Sequence, residues 1–342
     1  NNYTNNKGTL MQILVTGAAG YIGSHVAKQL LEQTDYEIII IDNLSTGFET
    51  TIDTLKSLDS TNKRIKYYNQ DLSDWEKVED IFKENSIKEI IHFAAFSQVG
   101  ESMSNPLKYY LNNTVNTTKL IDISIKYGVK KFIFSSTAAV YGEPNKESIP
   151  INENLIKNPI NPYGSSKLYS EGIIKDAATS NEDFKYVILR YFNVAGADLD
   201  GKIGECHNPE THLIPLVVKT ALGKRDSIKI FGDDYDTADG TCIRDYIHVC
   251  DLADAHLKAL KYLDTNPSDI FNCGYGYGYS VKEVIDTMKK VSNTDFKVEI
   301  VPRRAGDPSN LISNNTKIKT KMNWTPKYND LELICKTALD WE

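Results

Sequence analysis

Between Thr16 and Gly23 the chain reads Thr-Gly-Ala-Ala-Gly-Tyr-Ile-Gly, with glycines spaced GxxGxxG directly after the apolar run from Gln12 to Val15. No other stretch constrains the fold as much. A strand that ends in a Gly-rich turn and re-enters as a helix lays backbone N–H groups at a helix N-terminus, where a pyrophosphate can be received. The spacing departs from GxGxxG, but the physical demands are shared: a tight turn, close approach of backbone to phosphate, and close packing of helix on strand.

The rest of the first half supports the same architecture. Short β-rich apolar runs are expected as strands near Gln12–Val15, Glu37–Ile41, Ile65–Asn69, Glu89–Phe93, Lys131–Ser135 and Tyr186–Arg190. Helices are expected between them, over Gly20–Glu32, Trp75–Asn85, Pro106–Lys126 and Pro162–Ala178, the last with Asn161 as N-cap and Pro162 at the first helical position. Such alternation is the habit of a parallel sheet covered on both faces. The expected fold class is therefore α/β: a doubly wound parallel Rossmann-type sheet with a smaller C-terminal substrate-binding lobe. Residues 11–193 are assigned to the nucleotide-binding domain and 194–342 to the lobe, which carries helices near Leu213–Leu222, Val249–Leu263 and Val281–Lys290, with some crossover of the chain between the two. Residues 1–10, rich in Asn and Thr, are expected to be a disordered leader.

Charge and cysteine usage narrow the function classes. With 46 acids against 39 bases the net charge is -7, so an anionic ligand must be held by local basic groups, and nucleic acid is not an expected partner. No stretch approaches the roughly 18 apolar residues of a membrane span, and no membrane association is expected. Five cysteines (Cys206, Cys242, Cys250, Cys273, Cys335) form no CxxC pair, which suits a reducing cytoplasm. Cys206 beside His207, and His248 two residues before Cys250, lack usual ligand spacing, and no metal site is expected.

The cofactor residues follow from the strand ends. Gly17, Gly20 and Gly23, with Tyr21 and Ile22 between them, form the phosphate turn. Asp42 ends the second strand nineteen residues after Gly23, where a carboxylate accepts the adenosine ribose hydroxyls and repels a 2′-phosphate. That favours NAD over NADP; the alternative is that Asp42 only caps a turn with Asn43. Asp71 and Leu72 follow the third strand, within reach of adenine, and His92-Phe93-Ala94-Ala95 ends the fourth with small residues beneath the cofactor. Asn112 either holds the cofactor or is a solvated helix residue beside Asn113. Asn43, Ser45, Thr46, Ser135, Tyr163, Lys167, Tyr191 and Phe192 complete the expected cofactor set.

Tyr163 and Lys167 lie four apart on the helix after the fifth strand and so share a face. The YxxxK spacing also occurs at Tyr3/Lys7 and Tyr127/Lys131, but only the Tyr163 pair follows a strand that ends in hydroxyls, Ser135-Ser136-Thr137. A tyrosine of pKa about 10 is a poor base near neutrality. The Lys167 ammonium and an oxidised nicotinamide ring are expected to stabilise its phenolate, and Thr137 to bond the same substrate oxygen.

Longer segments carry a family resemblance: Phe93-Ala94-Ala95, Val99-Gly100-Glu101-Ser102, Phe134 to Gly142, Arg190 to Ala197, and Ile230 to Tyr235 continuing through Asp239 to Val249. From Met11 almost to its end, the chain resembles the extended short-chain dehydrogenase/reductases, and among them the branch that inverts C4 of UDP-hexoses. The resemblance implies Tyr163 as base, Lys167 as its partner and Thr137 as the helping hydroxyl. It implies a UDP-sugar site at Asn193, His212, Leu213, Phe231, Arg244, Arg304 and Asp307. Arg244 and Arg304 suit a diphosphate and Phe231 suits uracil, although surface ion pairing is the other reading of each arginine.

The implied reaction removes hydride from C4 to NAD, forms a transient 4-keto sugar, turns it over and returns hydride to the opposite face. It also implies a homodimer pairing the helices over Pro106–Lys126 and Pro162–Ala178. Two positions depart from the family pattern. Ser97 stands where some members have a lysine that contacts cofactor. Leu311 stands at the position gating sugar size, where some members have Tyr, leaving room for the acetamido group of UDP-GlcNAc or UDP-GalNAc. A 4,6-dehydratase, the nearest rival, carries Asp-Glu where this chain has Ala138-Ala139, and a non-catalytic NAD sensor would not need Tyr163, Lys167 and Thr137 together.

Overall fold

A computed structural model describes residues 10–304 and 307–342. The expected leader, except for Leu10, lies outside the described residues. The first half alternates strand and helix: β1 (Gln12–Thr16), α1 (Tyr21–Gln33), β2 (Glu37–Asp42), α2 (Glu49–Leu58), β3 (Ile65–Asn69), α3 (Trp75–Glu84) and β4 (Ile87–His92). Two short helices follow, α4 (Val99–Ser104) and α5 (Pro106–Tyr109), then a π-helical turn (Tyr110–Val115), α6 (Asn116–Lys126), β5 (Lys131–Thr137), α7 (Pro162–Ser180) and β6 (Lys185–Tyr191). The remainder comprises β7 (Asn193–Ala195), α8 (Leu213–Ala221), β8 (Ser227–Phe231), β9 (Ile243–Arg244), β10 (Tyr246–His248) and α9 (Val249–Tyr262). It ends with β11 (Asp269–Cys273), β12 (Tyr279–Ser280), α10 (Val281–Ser292), β13 (Lys297–Val301), β14 (Asn310–Leu311), α11 (Thr316–Met322) and α12 (Leu331–Trp341).

Seven strands form one parallel sheet in the order β11-β6-β5-β4-β1-β2-β3. Burial on both faces is why β2 reads as an unbroken run of isoleucines. Ile38 and Ile40 join the core under α1 and α9, with Val26, Leu30, Leu252 and Ala259. Ile39 and Ile41 face the opposite layer, with Ile81 of α3, Leu120 of α6 and Ile174 of α7. The strand order reverses at β1 and β4, so the crevice for a ligand opens beyond their C-terminal ends.

Six of the seven strands match the sequence expectation; β11 does not appear in it. Its sequence, Asp-Ile-Phe-Asn-Cys, places polar residues on both faces, and it pairs only with β6, far earlier in the chain. The helix expected over Pro106–Lys126 is also interrupted, because Tyr110–Val115 widens into the π-helical turn. In the smaller lobe β8 pairs β13, β7 pairs β10, and β12, β9 and β14 form a three-stranded sheet.

Candidate functional site

One cavity of about 560 Å³ lies at the reversal point. The Gly-rich turn forms its floor. Gly17 has φ +75°, and a Cβ there would sit 2.8 Å from the backbone nitrogen of Ala94. At Gly23 an added Cβ would meet the Gly17 carbonyl oxygen at 2.4 Å, so the turn cannot close on a larger residue. Helix α1 starts after Gly20 without a side-chain cap and without an acid in its first turn, leaving its N–H groups directed at the cavity.

Asp42 closes the adenosine end. Burial pushes its carboxyl up, against the N–H groups of Leu44 and Ala19, which donate to it at 2.8 and 2.9 Å. Asn43 donates to Asp71 at 2.7 Å and Ser73 N–H donates to the other Asp71 oxygen at 2.8 Å. Burial raises the Asp71 pKa, but these bonds outweigh it and hold the carboxyl below its ordinary value. Tyr21, Ile22, Ser45, Thr46, Leu72, Phe93, Ala94 and Ala95 line the same cavity.

The π-helical turn separates two neighbouring asparagines by role. Asn112 faces the cavity. Asn113 is buried, accepts from Phe96 N–H at 2.9 Å, donates to Phe96 O at 2.9 Å and donates to Ser166 at 3.2 Å. It therefore ties the loop after β4 to α7.

Helix α7 begins as its sequence dictates: the Asn161 side chain accepts from Gly164 N–H at 2.8 Å, with Pro162 in the first turn. This start sets Tyr163 against Thr137 at the end of β5. Burial pushes the Tyr163 phenol up, while its hydrogen bond with Thr137 draws it back. The Thr137 oxygen also accepts from Ala139 N–H at 3.1 Å. Lys167 is almost fully buried and its Nζ donates to the Ser135 carbonyl at 2.8 Å. Burial lowers its pKa to about 7. Desolvation is the largest influence on both groups.

The substrate end divides. Asn193, His212, Leu213, Arg244, Asp307 and Leu311 line the cavity, as do Ser97, Ser135, Tyr191 and Phe192. Arg244 is ion-paired with Asp307 at 2.5 Å. Phe231 and Arg304 lie outside the lining: the Arg304 guanidinium stacks 3.7 Å from the Phe231 ring centre, and Arg304 borders a smaller adjoining cavity that shares Asp307 and Pro308. Sequence reasoning missed Glu205 and His207, which also line the main cavity. Their carboxylate and imidazole partners lie two to seven residues along the chain, in Glu-Cys-His-Asn-Pro-Glu-Thr-His, a signal hidden by counting only Cys and His. Burial alone would lower the two imidazoles, but Glu205 and Glu210 overcome it and raise His207 to about 9 and His212 to about 10.

Residues 13–274 match the NAD dependent epimerase/dehydratase family. The chain belongs to this family. It is 46% identical to the UDP-glucose 4-epimerase of Lacticaseibacillus casei over 332 residues, covering 97% of this chain and 96% of that one. Among solved structures it is similar to the UDP-Glc/GlcNAc 4-epimerase of Campylobacter jejuni, with TM-score 0.85 and 56% identity over 97% of this chain and 98% of that one. It is likewise similar to the UDP-glucose 4-epimerase of Bifidobacterium longum in complex with NAD+ and UDP, with TM-score 0.90 and 37% identity over 97% and 98% of the two chains. The enzyme is an isomerase with NAD as its cofactor. Its residues suit that group: open N–H donors at α1, the Gly17 and Gly23 contacts that leave no room for a side chain, and a buried carboxylate at Asp42.

Proposed function

We propose that this enzyme interconverts UDP-glucose and UDP-galactose by oxidising C4 to a transient ketone and reducing it from the opposite face, with Tyr163 carrying the hydroxyl proton. The observation behind the assignment is the placement of the Tyr163–Thr137 pair in the cavity that also receives Asp42 and the Gly-rich turn. NAD, when bound, accepts the C4 hydride and returns it, and in its oxidised form adds a positive charge that favours the phenolate. Tyr163 takes the C4 hydroxyl proton and gives it back to the ketone oxygen as hydride returns. Thr137 relays that proton and holds the oxygen. Lys167, bonded to the Ser135 carbonyl, fixes the wall of β5 beside the phenol. Arg244 meets the diphosphate by leaving Asp307 or sharing it, and the anchored nucleotide leaves the sugar free to turn.

The same site accepts N-acetylated sugars. Leu311, which lines the cavity and packs against the cluster of Val140, Tyr141, Ile151 and Phe192, leaves the space that a tyrosine would fill. The Campylobacter jejuni enzyme named for both UDP-Glc and UDP-GlcNAc is 56% identical. A dehydratase outcome is disfavoured because Ala138 and Ala139 supply no acid or base.

The active species is a homodimer formed through α4 to α7, where Met103, Leu107, Leu111 and Tyr169 are 62%, 69%, 62% and 56% exposed. The five cysteines are free and four of them buried, which suits a reducing cytoplasm.

Incubating the purified protein with UDP-galactose or UDP-GalNAc, without added NAD, tests the function. UDP-glucose and UDP-GlcNAc are the expected products. No conversion of UDP-galactose would refute the assignment, a 4-keto-6-deoxy product would replace it with a lyase, and failure on UDP-GalNAc alone would remove the wider specificity.

A further inference from the structure

The segment between β7 and α8 carries Glu205, His207, Glu210 and His212, and one ligating atom from each lies within 4.8 Å of the others. Nδ1 of His207 is 3.2 Å from Glu205 and 3.5 Å from Glu210. Nδ1 of His212 is 2.9 Å from Glu205 and 3.1 Å from Glu210. A tetrahedral ion with bonds of about 2.0–2.1 Å to nitrogen and oxygen keeps its ligand atoms about 3.3 Å apart. The two separations to the shared oxygen Oε1 of Glu205, 3.2 and 2.9 Å, lie near that length, while His207 and His212 approach different oxygens of Glu210, so Glu210 turns to present one of them to the ion.

A second observation points the same way. Despite its nearness to both carboxylates, the buried Nδ1 of His207 has no aligned hydrogen-bond partner among the described residues. The Glu205 and Glu210 side chains are only 7% and 4% exposed. Without an ion the two imidazoles balance these nearly buried carboxylates by holding protons; a dication supplies the same two charges at one point and leaves both imidazoles neutral, as ligands must be.

We propose that Glu205, His207, Glu210 and His212 bind one divalent transition-metal ion, with zinc the best match. Two imidazoles and two carboxylates suit zinc better than magnesium or calcium, which prefer all-oxygen sets. Four protein ligands close the coordination sphere, so the ion is structural. It fastens the 205–212 loop over the cofactor turn, where the His207 ring meets Tyr21 edge-on at 6.4 Å. His212, at the start of α8, then serves this loop before it serves the sugar.

Chelator-stripped enzyme, with its cofactor content checked, is titrated with zinc by calorimetry and with cobalt by visible absorption. One zinc per chain and the d–d bands of tetrahedral cobalt are expected. His207→Ala and Glu210→Gln each weaken zinc binding by about 100-fold or more, since even outer-shell partners are worth about 10–100-fold. His207→Cys, which restores a zinc ligand, retains binding. Absence of stoichiometric zinc, octahedral cobalt spectra, or zinc uptake undiminished in a folded His207→Ala variant would overturn the site. The cobalt spectrum uses the unaltered chain, so a variant that fails to fold does not shield the proposal.

Discussion

Lys167 is a cation that burial has brought close to neutrality. Its pKa of about 7 means that the folded, cofactor-free enzyme sheds this proton as the pH rises past neutrality, whereas the unfolded chain keeps it to above pH 10. Between those values the unfolded state binds more protons, so stability rises with pH. Relative to Lys167→Met, the parent should gain up to about 1.4 kcal/mol per pH unit from pH 7 to about 10. Urea unfolding of both proteins across that range measures it, and parallel stability curves would contradict it. The residue types that the sequence singled out as chemical, Tyr163, Lys167 and Thr137, meet in one cavity because the end of β5 and the first two turns of α7, both regular elements, present them to it. Glu205 and His207 were illegible for the opposite reason: an irregular loop has no periodicity that says which side chains converge.

At the scale of elements, α7 is the support on which the chemistry rests. Glu171, two turns below Tyr163, accepts from Arg190 Nη2 at 2.6 Å, from Arg190 Nε at 2.9 Å and from Ser136 at 2.6 Å, and the ion pair is 0% exposed on both sides. This fork clamps α7 to β5 and β6. Removing one partner strands a buried charge, so Glu171→Gln should cost about 3–5 kcal/mol in denaturant unfolding. A loss under about 1 kcal/mol, the range of a surface pair, would contradict the clamp. Elements whose periodicity matches their environment were legible, such as β2 with a face to each core layer. The π-helical turn was not, because Tyr-Leu-Asn-Asn-Thr-Val is compatible with an ordinary helix and only the Asn113 bonds to Phe96 and Ser166 favour the wider turn. Strand β11 was hidden because its partner lies about eighty residues away, at Val187 to Tyr191.

The whole molecule combines a sheet built from both halves of the chain with an apolar surface along α4 to α7. Burying that surface against a second copy is the expected fate of Leu107 and its neighbours, so Leu107→Glu should shift light scattering from dimer to monomer. A parent that is already monomeric would contradict the interface. In the proposed reaction one phenol, that of Tyr163 in the main cavity, serves both the sugar hydroxyl and the nicotinamide. The direct measurement is turnover of UDP-galactose by Tyr163→Phe, alongside the amount of bound NAD. The rate should fall by about 10²- to 10⁴-fold with bound NAD unchanged. A variant that keeps both its cofactor and the parent's rate would show that the proton travels by another route.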